Sequence, residues 1–431
     1  MRDLNSIFIA LWCLSLIFAT MIIHIDCNTF FASCEVAFHP ELYGKPVVVA
    51  NNNEAGGGVI LALTPEAKRL GLKRGNPVFQ VRKLIHDNGV VMFDVNHEKY
   101  RSTSKRIMQS VVEQDIIQDF VQYSIDEFFG EIPVDDEAEV RRYVKMVKDL
   151  IAKETDIPVS CGCSQTYTLA KVATWYAKHY AGYGGICVLS EANRQKALAG
   201  LPIGEVWGIG RKFSKFLTAN SVATALDFAQ LSEQYVSHTM KTAGLHTWQE
   251  LHGQSVISID RDSMQKSMSH SQTFAYMTDD IQKLRELISE FVSKLARKLR
   301  EQNSMCQTVM VFIRTNRHRP DLKQRAADNS LKMPVPSQDT RVITNVAMQL
   351  LDSIYMPGFM YKKLGVVLTD ITHSAAVQLD LFSNNDIGKS RKLMQALDDI
   401  NRKYGAETIH SALTVTRKKD DAEKDFEENR E

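Results

Sequence analysis

No charge of one sign dominates this chain of 431 residues: 52 Lys and Arg stand against 51 Asp and Glu, a formal net charge of +1. Taken alone, that balance argues against a polyanionic partner. Cysteine is scarce, with seven scattered residues and Cys161-Gly162-Cys163 the only close pair. This usage fits a reduced, cytosolic setting better than a disulfide framework. A zinc centre would need two further ligands at suitable spacing, and none is evident, so the pair reads as small buried residues on a strand. The apolar run Ile7 to Ala19 has signal-peptide length behind a weak n-region, in which Asp3 offsets Arg2. It falls short of the roughly 20 residues that a membrane-spanning helix needs. With 44% apolar and 24% charged residues, the chain is too ordinary to be mostly disordered and long enough for two to four packed units.

The even charge conceals an uneven distribution. Asp420 to Glu431 holds seven acids and two bases and reads as a solvated tail; the remainder carries 50 bases and 44 acids. Ser289 to Lys332 contains ten Lys or Arg against four acids, which suits either a phosphate-backbone footprint or a solvated helix face.

Two blocks a hundred residues apart put acid at the end of an apolar, β-prone run: Ile22 to Phe31 (IIHIDCNTFF) and Tyr123 to Phe129 (YSIDEFF). A strand apolar on both faces belongs in a sheet interior, so a carboxylate at its tip needs a cation to stay ionised. Asp26, Asp126 and Glu127 are therefore candidate metal ligands, and oxygen-only donors favour Mg²⁺ or Mn²⁺ over zinc. Adjacent strand residues face opposite ways, so Asp126 and Glu127 share a site only if a turn or bulge falls between them. On the acids alone the plainer alternative stays open, in which Asp26 caps a strand and Asp126-Glu127 is a solvated hairpin tip.

Periodicity predicts strands at Val47 to Ala50 and Ile157 to Cys163, and helices over Pro65 to Leu70, Tyr100 to Glu113, Glu137 to Glu154 and Leu169 to His179. Leu201 to Gln254 is helical by pattern and Ser255 to Lys266 a charged tether. Beyond it come a strand (Gln272 to Tyr276), a helix (Asp280 to Gln302) and two strands (Gln307 to Thr315 and around Ser330 to Met333). A helix (Thr340 to Ser353) and a strand (Lys363 to Thr369) complete the order, and the whole is α+β. In Val206-Trp207-Gly208-Ile209-Gly210-Arg211-Lys212 the glycines would let backbone amides approach a phosphate, although the segment also reads as a plain helix-helix turn.

Several blocks in order carry a resemblance. They are Asp26-Cys27-Asn28-Thr29-Phe30-Phe31-Ala32-Ser33-Cys34-Glu35, Gly44 to Val49, Glu66-Ala67-Lys68, Tyr100, Arg106, Ser124-Ile125-Asp126-Glu127, Thr168-Leu169-Ala170-Lys171, Ala177-Lys178 and Val206 to Gly210. Together they resemble the Y-family translesion DNA polymerases, in particular the UmuC-like branch, over Ile22 to Phe382. The resemblance implies a right-hand polymerase with a palm (22–34 and 95–189), small fingers (35–94) and a helical thumb with a helix-hairpin-helix (190–254). A linker (255–266), a little-finger domain (267–373) and a tail (374–431) with a clamp-binding peptide and an acidic end would follow. Residues 1–20 would be an apolar extension from an upstream start chosen in error, with Met21 the functional start; a membrane anchor is the alternative.

By the same resemblance Asp26 and Asp126 bridge two Mg²⁺ ions, with Mn²⁺ as a substitute, Glu127 completes the site near the primer terminus, and the Cys27 carbonyl is a backbone ligand. Phe31 matches the steric gate that excludes a ribose 2′-hydroxyl, with Phe30 beside it. Lys178 and Lys68 would bind the triphosphate. Pro65 replaces a usual tyrosine and Ala62 a usual threonine, which implies weaker nucleotide binding. Gly208, Gly210, Arg211 and Lys212, with Arg314, Arg317 and Arg319 further on, would contact DNA. Gln378-Leu379-Asp380-Leu381-Phe382 matches the bacterial sliding-clamp peptide, in which Gln378, Leu379, Leu381 and Phe382 would be the anchors.

The implied function is error-prone translesion synthesis on primer-template DNA from deoxynucleoside triphosphates, in DNA repair and the SOS response, in the cytoplasm and away from membranes. A UmuD-like subunit and a recombinase filament are the implied further partners. The competing readings are a two-metal nuclease or nucleotidyl cyclase, and a DNA-binding accessory subunit with little activity unless joined by a partner.

Overall fold

The computed structural model describes residues 20–51, 58–134, 136–259, 264–374, 387–405 and 408–409, and the chain divides into two compact units, Met1–Arg261 and Asp262–Glu431. The apolar run Ile7 to Ala19 and the peptide Gln378 to Phe382 lie outside the described residues. Among those that are described, no helix is long and apolar enough to cross a membrane.

In the first unit β1 (Met21–Cys27) leads into α1 (Phe30–Phe38). A small sheet follows, built from β2 (Val47–Ala50), β3 (Ile60–Leu63) and β4 (Val91–Asp94), with β2 central and parallel to β4. It carries α2 (Pro65–Arg69), capped by Thr64, and α3 (Val78–Asp87). The chain then returns through α4 (His97–Glu113), β5 (Gln118–Gln122), β6 (Glu127–Ile132), α5 (Glu137–Thr155), β7 (Val159–Ser164), α6 (Tyr167–His179) and β8 (Ile186–Val188).

The main sheet runs β5-β6-β1-β7-β8, so β1 is central, as a strand apolar on both faces requires. Its period of two sends Ile23, Ile25 and Cys27 into the core made with α4 and α5. Ile22, His24 and Asp26 face α6. That helix lies unusually close to the sheet: a Cβ added at Gly162 of β7 would sit 2.1 Å from the Thr174 backbone nitrogen. Any side chain there would lift α6, and with it Lys171 and Lys178, off β1.

Among the described residues the unit continues with four α-helices, α7 (Glu191–Gly200), α8 (Arg211–Ala219), α9 (Ala225–Ala229) and α10 (Glu233–Leu251), around a core that includes Leu198, Leu217, Phe228 and Val236. Helix α10 breaks at Lys241 (φ 59°, ψ −160°). At its end the fully buried Glu250 binds three backbone amides: Thr168 at 2.9 Å, and Val256 and Ile257 at 3.1 Å each.

The second unit is β9 (Met268–Thr278), α11 (Ile281–Glu301), β10 (Ser304–Thr315), β11 (Ala326–Ser337), α12 (Thr340–Ile354), β12 (Tyr361–Thr369), the two-residue β13 (Thr372–His373) and α13 (Ile387–Tyr404). The sheet order is β11-β10-β12-β9, with β13 pairing β10. Along β10, Val309, Val311 and Ile313 are buried against α11 and α12, while Met310, Phe312 and Arg314 are half-buried on the alternate face. The sequence pattern catches only the middle of β11 and passes over α13 altogether. This helix docks on its own unit through Arg300, whose guanidinium forks onto Asp398 at 2.5 and 2.8 Å, and through the buried Met394.

Candidate active site

The register of β1 against β6 pairs Asp26 with Glu127, and residues opposite one another in an antiparallel pair share a face. Asp126 lies just before β6, in a bend. Tyr123 N–H and Ser124 N–H both donate to the Glu127 carbonyl (2.9 and 3.1 Å), and Cys27 N–H donates to the Asp126 carbonyl (2.9 Å). This is the turn that adjacent acids need if both are to serve one locus. The Ser124 hydroxyl donates to Asp126 Oδ1 at 2.6 Å and fixes that carboxylate off the ladder.

Each acid has a different electrostatic setting. Asp26 accepts from Lys178 Nζ at 2.8 Å. Glu127 pairs with Lys171, and His24 Nε2 stands 3.2 Å from its Oε1 without the alignment of a hydrogen bond. Burial opposes ionisation of Glu127, but His24 and Lys171 outweigh it and hold the carboxyl at about 2. Asp126 moves the other way: burial, helped by the charges of Asp26 and Glu127, pushes it above the ordinary carboxylate value against the pull of Ser124. Burial keeps His24 below its usual pKa, and its Nδ1 lies 2.8 Å from Thr174 Oγ1 on α6.

Among the described residues no three His, Cys, Asp or Glu side chains form a metal cluster, and lysine ammoniums pair with the Asp26 and Glu127 carboxylates. The donors nonetheless suit a hard divalent cation. They are carboxylate oxygens only, half-buried, and the burial that raises the pKa of Asp126, with the added charges of Asp26 and Glu127, disfavours ionisation that a bound cation would restore. The Cys27 thiol is buried, and burial pushes its pKa far up, so only the backbone of Cys27 can serve as a donor there.

Phe31 and Phe30 differ. Phe30 is 3% exposed and belongs to the core, whereas Phe31 is half-buried and stacks on Tyr100 at 4.3 Å. Tyr100 is itself anchored, its hydroxyl donating to the buried Glu35 at 2.7 Å, and Lys99 Nζ reaches the other oxygen at 2.7 Å. A cleft of about 820 Å³ opens beside the tip of β1, lined by Asn28, Thr29, Lys45, Thr64 and Pro65 among others. Lys68 is exposed on α2.

Gly208 has φ +88°, and a Cβ there would meet Thr247 Oγ1 at 2.4 Å, so the turn requires glycine. Gly210 is the N-cap of α8, with Arg211 and Lys212 exposed in the first helical turn. In the second unit, Arg314 is engaged by its own sheet: it donates to the carbonyls of Ile313 (3.0 Å) and Ala327 (2.5 Å) and to Asp328 (2.8 Å). Arg319 pairs with Asp321 at 2.6 Å, and Arg317 donates to His318 at 3.3 Å.

Four residues that touch this site carry no assigned role in the sequence pattern: Lys171, His24, Tyr123 and Trp207, although each stands within a motif block. For His24 a signal existed: a histidine two residues before Asp26 on an apolar strand shares its face. For Trp207 none did, because its partners lie 36 to 84 residues away.

Residues 25–175 match the impB/mucB/samB family, and residues 265–381 match its C-terminal domain. Protein UmuC of Salmonella typhimurium is 33% identical over 90% of this chain and 92% of its own, and protein MucB of Escherichia coli 32% identical over 88% and 90%. DNA polymerase IV of Oceanobacillus iheyensis is 29% identical over 91% of each chain. Among solved structures, a chimeric Y-family DNA polymerase of Dbh and Dpo4 superposes with a TM-score of 0.64 at 20% identity, covering 81% of this chain and 99% of its own. An insertion ternary complex of Dbh DNA polymerase superposes with a TM-score of 0.55 at 20% identity, with the same coverage. The chain therefore belongs to the impB/mucB/samB family and is a UmuC-like member of the Y-family DNA polymerases.

Proposed function

We propose that this chain is an error-prone translesion polymerase, adding deoxynucleotides to a primer 3′-hydroxyl opposite damaged template bases, with Asp26, Asp126 and Glu127 as the acids of its site. The observation that carries this reading is that the strand register sets Asp26 opposite Glu127 while the bend before β6 brings Asp126 to the same sheet end, beside an exposed lysine and a half-buried aromatic ring. The family uses divalent ions. Asp26, Asp126, Glu127 and the Cys27 carbonyl would hold two Mg²⁺, or Mn²⁺ in their place, which when bound activate the primer hydroxyl and neutralise the pyrophosphate.

The chain's own residues supply the positioning. Lys178 exchanges Asp26 for the triphosphate, and Lys68 adds a second point charge from α2. Phe31, backed by Tyr100, closes the space that a ribose 2′-hydroxyl would occupy. The palm comprises 22–34 and 95–189, the fingers 35–94, the thumb 190–254 and the little finger 267–373. Gly208 and Gly210 offer amides to a DNA phosphate, with Arg211, Lys212 and Arg317 adding charge. Arg314 and Arg319 are already paired, so they serve this role only by exchanging partners. Gln378 to Phe382 would dock on a sliding clamp, and a UmuD-like subunit and a recombinase filament complete the partners in a cytoplasmic SOS response. An accessory subunit without activity is not favoured, since all three acids are present.

Primer extension on damaged and undamaged templates tests this reading. Asp126→Ala and Glu127→Ala should abolish extension while primer-template binding persists, and ordinary extension by either variant would refute the assignment. Replacing Leu381 and Phe382 by alanine should lower processivity only when clamp is present.

A further inference from the structure

We propose that Trp207 is a positioning residue for Glu127, acting through Lys171, and that it ties the glycine turn before α8 to the acid site. The inference rests on the assignment of Glu127 to that site.

Lys171 Nζ pairs with Glu127 and lies 5.0, 5.6 and 5.5 Å from the ring centroids of Tyr123, Phe129 and Trp207. An ammonium bordered by three aromatic rings has few directions in which to move. Two of the walls are local to the acid. Phe129 is fully buried on β6 two residues beyond Glu127, and Tyr123 is held by its backbone bond to the start of that strand.

The third wall comes from elsewhere in the chain. Trp207 Nε1–H donates to the Tyr123 hydroxyl oxygen at 3.2 Å, and the two rings meet edge to face at 5.6 Å. Behind the indole, the Trp207 carbonyl accepts from Thr247 Oγ1 at 3.3 Å, and Gly208 packs so tightly on Thr247 that no side chain fits between them. The turn and α10 thus press the indole onto the cage. Any displacement of the turn displaces one wall around Lys171, and Lys171 sets where the Glu127 carboxylate points. Reacting groups tolerate little misplacement, so a wall 80 residues from the acid in sequence can govern rate without touching a substrate.

The test combines kinetics with a measurement that needs no activity. In Trp207→Ala, single-turnover insertion at saturating nucleotide should fall at least about tenfold while the primer-template Kd hardly changes. Trp207→Phe, which keeps a ring face, should recover most of the rate. In a Lys171→Met background, Trp207→Ala should add little, because the connection is already cut. In the free protein with isotopically labelled lysine, the Lys171 side-chain protons should be shifted upfield by the rings; Trp207→Ala should move that resonance, since one of the three rings is lost and the ammonium is released, and Asp126→Ala should preserve it.

An unmoved Lys171 resonance in Trp207→Ala would overturn the proposal. So would weaker DNA binding with an unchanged saturating rate, or losses that simply multiply in the double variant. If the parent and Asp126→Ala were equally inert on every template, the polymerase assignment would fail instead, and the resonance would still decide whether the cage exists.

Discussion

Lys178 Nζ lies 2.8 Å from Asp26 Oδ1, joining the last turn of α6 to the tip of β1 across 152 residues of chain. The two side chains are 36% and 20% exposed, so the pair contributes at most about 1 kcal/mol and can be exchanged readily. The lysine thereby occupies the carboxylate while remaining available to an incoming triphosphate. Lys178→Ala should raise the KM for deoxynucleotide about tenfold or more, the worth of a charge-assisted hydrogen bond, with little change in Tm. Steady-state kinetics and a melting curve on the same preparation check both halves; an unchanged KM would remove Lys178 from the nucleotide site.

Phe31 stacks on Tyr100, which Glu35 holds in place, so the ring has a rigid back. Phe31→Ala should lower discrimination against ribonucleotides by at least about tenfold, since the exclusion comes from a clash. Phe31→Tyr should keep it. Matched insertion assays with ribo- and deoxynucleotides decide the matter, and an alanine variant as selective as the parent would return Phe31 to a packing role.

Glu250 is fully buried and accepts from the amides of Thr168, Val256 and Ile257. Removing the carboxylate orphans the amides of Thr168, which is buried, and Ile257, which is half-buried, at roughly 1 kcal/mol or more apiece, while the exposed Val256 can turn to water. Glu250→Ala should therefore destabilise the first unit by about 2 kcal/mol, and Glu250→Gln, which keeps one acceptor oxygen, by less. Urea unfolding checks the order; equal losses in the two variants would mean that the amides find other partners.

The ion pair of Glu127 with Lys171 gives a signed pH dependence. Glu127 titrates at about 2 in the folded chain against 4.5 for the free side chain, so its contribution is present above pH 4.5 and is lost as pH falls toward 2. His24, also depressed by burial, acts in the same direction from pH 6.5 downward. The Tm gap between the parent and Lys171→Met, without divalent ions, should be widest above pH 4.5 and close toward pH 2. A gap that is constant over this range would show that the lysine matters for packing rather than charge.

The central position of β1 was legible because its apolar run lacks alternation, and α5 and α11 were legible because their periods are strong and local. The candidate acids stood out as carboxylates at the ends of apolar strands, but only their place in the order of motifs separated a site from a strand cap and a hairpin tip. Helix α13 was not, since its amphipathic face has meaning only against Arg300 and the buried socket for Met394, a hundred residues earlier. Nor was the division of labour between Phe30 and Phe31, two like residues that differ only in the side of α1 on which they fall.

What the sequence determined by itself is therefore local: apolar period, strand and helix identity, the acids, and the order of motifs that shows the family. Tertiary structure alone decided which charge meets which. Lys171 rather than a solvent-facing partner neutralises Glu127, Lys178 covers Asp26, and Trp207 reaches Tyr123 over 84 residues. The physical reason is that periodicity records only whether a residue is buried, whereas the partner of a buried charge is set by register and by close helix approach, as at Gly162 against Thr174.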